Sequence, residues 1–109
     1  MEITASAAQG GDTTVPEKVF ICGIPHKVEL CEDIFNSGTH FGQIEYAKCE
    51  IKINANMPEV MQRQTLCHEM LHGMLALLGY DDLTQDEIFV RSLSMAINQS
   101  FRIREADDG

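Results

Sequence analysis

The spacing of apolar residues changes twice along the chain, and each change predicts a different element. From Lys18 the run KVFICGIPHKVEL alternates, with Val19 and Ile21, then Val28 and Leu30, set between more polar neighbours. A period of two belongs to half-buried strands, and Gly23, Ile24 and Pro25 between the runs predict a β-hairpin. His26 falls at that turn and is expected at the surface. A second extended pair, Phe41 to Tyr46 and Cys49 to Asn54, is joined by Ala47 and Lys48, with Ile51 and Ile53 facing one way and Lys52 the other. Between the pairs, Cys31 to His40 holds Asn36, Ser37 and Gly38 and reads as a loop with a helical turn over Glu32 to Phe35.

After Asn56 the period lengthens. Pro58 suits the first turn of a helix that runs to Leu78 and stops at Gly79. Leu66, Cys67, Met70, Leu71, Met74, Leu75, Leu77 and Leu78 make this helix apolar almost all round, which is the pattern of a core helix. Tyr80 to Leu83 is a connection. Thr84 opens a second helix with the stripe Val90, Leu93, Ile97 and Phe101 directed at the first, and Thr84 with Glu87 fits a capping box. The expected class is therefore α+β: a small, mostly antiparallel sheet of about three to four strands packed on two helices. Met1 to Glu17 reads as a mobile arm, residues 18–104 as one domain, and residues 105–109 as an acidic tail.

With 109 residues, 44% of them hydrophobic, there is one modest core and no second domain. The net charge of −9 argues against general affinity for nucleic acid or anionic membrane. No run approaches the roughly 18 apolar residues of a membrane span. The four cysteines, Cys22, Cys31, Cys49 and Cys67, contain no CxxC pair, and the N-terminal residues carry neither a basic nor an apolar leader region. These features predict free thiols in a reducing cytoplasm.

The candidate chemistry lies in the first helix, where His68, Glu69 and His72 spell HExxH. Residues four apart share a helix face, so the two imidazoles can grip one metal ion. Zinc suits them, and Glu69 can act as general base on the water that completes such a site. By composition the pattern would arise in about one shuffled chain in eighty. Its apolar setting adds weight, because buried imidazoles and a carboxylate are costly without a ligand or hydrogen-bond partners.

Catalytic zinc ordinarily takes a third protein ligand. A metzincin would place glycine and histidine where Leu75 and Leu78 stand, so that class is excluded. The remaining acids downstream are Asp81, Asp82, Asp86 and Glu87. Glu87 shares a helical face with Val90, Ser94, Ile97 and Phe101, which favours it, although the capping box would employ it otherwise. Tyr46 and Tyr80 are candidate donors to a developing oxyanion.

TLCHEMLHGML at Thr65 to Leu75, with EIKIN at Glu50 to Asn54 and DEIFVRSLS at Asp86 to Ser94, resembles the gluzincin-type zincins. Within them it is similar to the small ImmA/IrrE-like metallopeptidases of phages and mobile elements. The resemblance spans roughly Lys18 to Phe101, and HExxH is its sharp part. It implies a minimal zincin fold, a Zn²⁺ site of His68, His72 and Glu87, Glu69 as catalytic base, and a protein or peptide substrate paired to a strand of the Phe41 to Asn54 hairpin. A non-catalytic interaction protein that keeps this scaffold and binds a protein partner is the competing expectation.

Overall fold

The computed structural model describes residues 15–32 and 41–106. Most of the expected arm, the 33–40 part of the expected loop with its helical turn, and the end of the tail lie outside them. Among the described residues are four strands, β1 (Lys18–Ile21), β2 (Ile24–Cys31), β3 (Gly42–Glu45) and β4 (Glu50–Asn54). They form one sheet in the order β1-β2-β4-β3, with β1 and β3 antiparallel to their neighbours and β2 parallel to β4. Two of the three pairings are antiparallel, as expected, and the parallel pairing of β2 with β4 makes the sheet a mixed one. Burial explains the order: Ile51 and Ile53 of β4 are fully enclosed, so β4 takes a central place, and the more polar GQIE of β3 is left at an edge.

The first hairpin turns earlier than expected. Cys22 and Gly23 alone make the turn, with φ of 51° and 81°, as a two-residue loop matched to strand twist requires. Ile24 and Pro25 are strand residues facing Ile21 and Phe20, and Pro25 precedes the β2–β4 ladder, which starts at Lys27. Because alternate residues face opposite ways, this register turns His26 inward with Val28. It is 3% exposed, not a surface residue, and its Nδ1 lies 2.8 Å from the Ile24 carbonyl oxygen.

Helix α1 (Glu59–Leu77) lies between the sheet and a C-terminal helix, which accounts for its nearly unbroken apolar surface. Leu66 and Met70 pack on Val19, Ile21, Ile51 and Ile53, while Leu71 and Leu75 pack on Val90. Two glycines set how closely sheet and helix approach. A Cβ on Gly73 would come within 3.0 Å of both Ile21 and Ile44, and one on Gly42 within 2.6 Å of Thr65 Cγ2.

The connection after α1 is itself helical, α2 (Asp81–Thr84), and the last helix, α3 (Glu87–Ser100), starts three residues later than Thr84. Asp86 caps it by accepting a hydrogen bond from the Phe89 N–H at 3.1 Å, so the capping box of Thr84 and Glu87 does not form. The stripe of α3 also differs. Val90 and Ser94 are fully buried, whereas Leu93 is exposed and Phe101 is 73% exposed. The helix crosses α1 at Ser94, whose Oγ accepts from Gln64 Nε2 at 3.1 Å and whose carbonyl accepts from Cys67 Sγ at 3.4 Å. A small side chain at the crossing lets the helices close there, and the flanking apolar residues are left to solvent.

Beyond α3 the chain returns to β1. The Ala106 N–H donates to the Lys18 carbonyl at 2.7 Å, and the Glu105 carboxylate accepts from the N–H groups of Glu17 and Lys18. Val15 and Ala106 are both buried. Val15 and Ile103 pack on the core cluster of the sheet and α1. No described helix is long and apolar enough to cross a membrane.

Candidate metal centre

The face of α1 turned away from the β1–β2 core carries His68, Glu69 and His72 into a cleft of about 1010 Å³. α1 forms its floor, β3 one wall and α3 the other, with Phe41 to Ile44 facing Glu87, Arg91 and Met95. The first turn of α3 brings Glu87 over the histidines. Its Oε1 is 3.2 Å from His68 Nε2 and its Oε2 3.2 Å from His72 Nε2, while the two Nε2 atoms are 3.2 Å apart. Donors at tetrahedral positions around zinc, at about 2.0–2.1 Å from it, are themselves about 3.3–3.4 Å apart. The spacing fits that ion.

Hydrogen bonding makes the fit chemical as well as geometric. Thr84 donates its hydroxyl hydrogen to the His72 carbonyl at 3.3 Å. Its Oγ1 also lies 2.9 Å from His72 Nδ1, so the second ring nitrogen has a hydrogen-bond partner of its own. The other, Nε2, faces the Glu87 carboxylate, and a positive charge between them would draw the two together. One proton bridges one such pair; a cation satisfies three donors at once. A histidine ligand whose second nitrogen is held by a hydrogen bond is the usual arrangement at metal sites.

The remaining acids are employed elsewhere. Asp86 caps α3, and Asp81 and Asp82 sit exposed in α2 outside the cluster of His68, His72 and Glu87. Glu69 points into the cleft, with its Cγ 3.5 Å from where a Cβ on Gly42 would stand. Burial, followed by repulsion from Glu87, pushes its pKa up to about 7. Burial also lowers the pKa of His68, with His72 as the next cause, which keeps the imidazole neutral and able to bind a metal. A bound cation would oppose the rise at Glu69.

Tyr46 lines the cleft beside Thr84, while Tyr80 is 54% exposed and lies outside it. Burial raises the Tyr46 pKa, opposed by its hydrogen bond with Thr84 and reinforced by the charges of Glu69 and Glu87. Thr84 is the site residue that sequence reasoning missed: its helix-start chemistry pointed to a cap, and nothing local tied it to His72. Among the described residues, the wall formed by β3 also has a free edge. The Asn54 N–H donates to the Phe41 carbonyl at 2.8 Å, so by antiparallel alternation Gly42 and Ile44 turn their N–H and C=O groups away from β4. No protein-family model, curated protein or solved structure matches the chain.

Proposed function

We propose that this chain is a zinc-dependent peptidase of minimal gluzincin type, in which His68, His72 and Glu87 hold the ion and Glu69 is the general base. The observation that carries the reading is the convergence of three donor groups at tetrahedral spacing beside a buried carboxylate, on the floor of a cleft whose rim is, among the described residues, an edge strand. When bound, the ion would polarise the scissile carbonyl and lower the pKa of water.

The chain's own groups supply the rest. Gly42 and Ile44 offer backbone hydrogen bonds to an extended peptide, which aligns the scissile bond along the cleft by strand addition. Glu69 takes a proton from water as its oxygen adds to the carbonyl carbon, then delivers that proton to the amine as the C–N bond breaks. The Tyr46 hydroxyl, which pairs with Thr84 in the free site, would turn its hydrogen to the carbonyl oxygen as negative charge builds there. Thr84, hydrogen-bonded to His72 Nδ1, holds the ring so that Nε2 faces the site.

Glu69→Gln keeps the shape and removes the base. Zinc-loaded wild type is expected to cut an unfolded casein substrate, followed by mass spectrometry of the fragments. The variant should retain zinc and lose on the order of 10²–10⁴-fold in rate. Cleavage that persists in Glu69→Gln would sink the assignment of the base. Stoichiometric zinc in a wild type that cuts no peptide would instead support the binding protein built on the same scaffold.

A further inference from the structure

We propose that the cleft takes a peptide bearing a carboxylate within two residues of the scissile bond, on its C-terminal side, and that Arg91 receives that carboxylate. This rests on the peptidase reading above and names its substrate class. The wall of the cleft formed by α3 carries Glu87, Arg91 and Met95 at successive four-residue steps, hence along one line of the helix. Arg91 is the sole cation among the described residues lining the cleft, where the two charged neighbours are Glu69 and Glu87.

Glu87 does not neutralise it, since both its oxygens are turned to His68 and His72. No other described carboxylate forms an ion pair with it. In a chain with 17 acidic residues and 8 basic ones, an unpaired guanidinium at the cleft is capacity held for an anionic guest. A guanidinium matches a carboxylate through two parallel hydrogen bonds.

The position along the substrate follows from the register of the elements. β3 runs in the same sense as α1, with Gly42 against Thr65 and Glu69, and Ile44 against Gly73. α3 runs the opposite way, since Glu87 meets His68 while Ser94 meets Gln64. From the metal centre, Arg91 therefore lies toward the Phe41 end of β3. Antiparallel pairing is the more stable choice for a strand added at an edge. A peptide so paired runs from the Tyr46 end to the Phe41 end and passes Arg91 after the scissile bond. One helical step of four residues rises about 6 Å, the length of about two residues of extended peptide.

An Asp or Glu side chain and the free carboxylate of a chain terminus are the two sources of this group, and a binding experiment on non-cleaving protein distinguishes them. Zinc-loaded Glu69→Gln protein is titrated into fluorescein-labelled, amidated alanine peptides carrying a single Glu or a single Gln, with binding followed by anisotropy. A third peptide has no Glu and a free C-terminal carboxylate. The Glu peptide is expected to bind about tenfold more tightly than the Gln peptide. That ratio should fall to about one when Arg91→Ala is added, and Arg91→Glu should prefer the corresponding Lys peptide.

An Arg91-dependent gain confined to the third peptide identifies the chain terminus as the guest. Equal affinities for all three peptides, a preference that Arg91→Ala leaves intact, or no binding to any of them overturns the proposal. Failure of the peptidase reading looks different: wild type then cleaves nothing, whatever charge preference the binding data show. Arg91 is exposed on α3, and a far-UV circular dichroism spectrum of each variant confirms that the fold is kept.

Discussion

The two sides of α1 do opposite work. Toward the sheet, Leu66 and Met70 are enclosed with Val19, Ile21, Ile51 and Ile53, and each contributes by leaving water. Toward the cleft, His68, Glu69 and His72 bring polar groups into partial burial, with two imidazole nitrogens and a carboxylate converging at 3.2 Å. One side stabilises the fold; the other relies on that stability to hold polar groups close together in partial burial. The difference teaches that side chains on one helix can answer to separate demands when a sheet anchors the helix from behind.

The largest expected contrast comes from cutting each side in turn. Leu66→Ala removes a fully buried side chain between α1 and β4 and should cost about 2–5 kcal/mol in urea unfolding. His72→Ala in metal-free protein should cost much less, and should abolish the gain in melting temperature that zinc gives wild type. Equal losses from the two variants would mean that the cleft side is part of the structural core.

The second effect is electrostatic and has a definite sign. The folded pKa of Glu69, about 7, lies above its ordinary value of 4.5, so ionising it burdens the folded state. The favourable contribution of the protonated form is complete below about pH 4.5 and is lost as pH rises toward 7. Glu69→Gln should therefore stabilise the metal-free protein at pH 8, by up to about 3 kcal/mol, and the advantage should shrink to nothing near pH 4. Chemical denaturation of both proteins across that range measures it; an advantage that does not change with pH would contradict the assigned cause.

What the sequence disclosed follows the range of the interactions involved. His68, Glu69 and His72 were legible because one helical turn fixes their relation without help from the rest of the fold. Glu87 was legible as the favoured acid through its place in the first turn of the next helix, and the fold brings it to the histidines. Thr84 was not, since its hydroxyl reaches His72 only because α2 folds the connection back over α1. The sheet order escaped for a similar reason: hydrophobic alternation identifies strands, but only the burial of Ile51 and Ile53 against α1 shows that β4 stands beside β2. His26 shows how a turn displaced along the chain reverses which face a residue takes.

A smaller effect tests the support beneath the cleft. Thr84→Val deletes the hydroxyl that orients His72 and keeps its volume, so zinc affinity should fall about 10–100-fold by competition with a chromogenic chelator. Unchanged affinity would show that the His72 ring is oriented by packing alone.

The metal content of the protein tests the central claim most directly. Wild type, His68→Ala, His72→Ala and Glu87→Ala are equilibrated with zinc, freed of excess ion, and measured by elemental analysis. About one zinc per wild-type chain is expected, with a marked loss in each variant. Wild type that retains no zinc, or variants that retain as much as wild type, would contradict the claim.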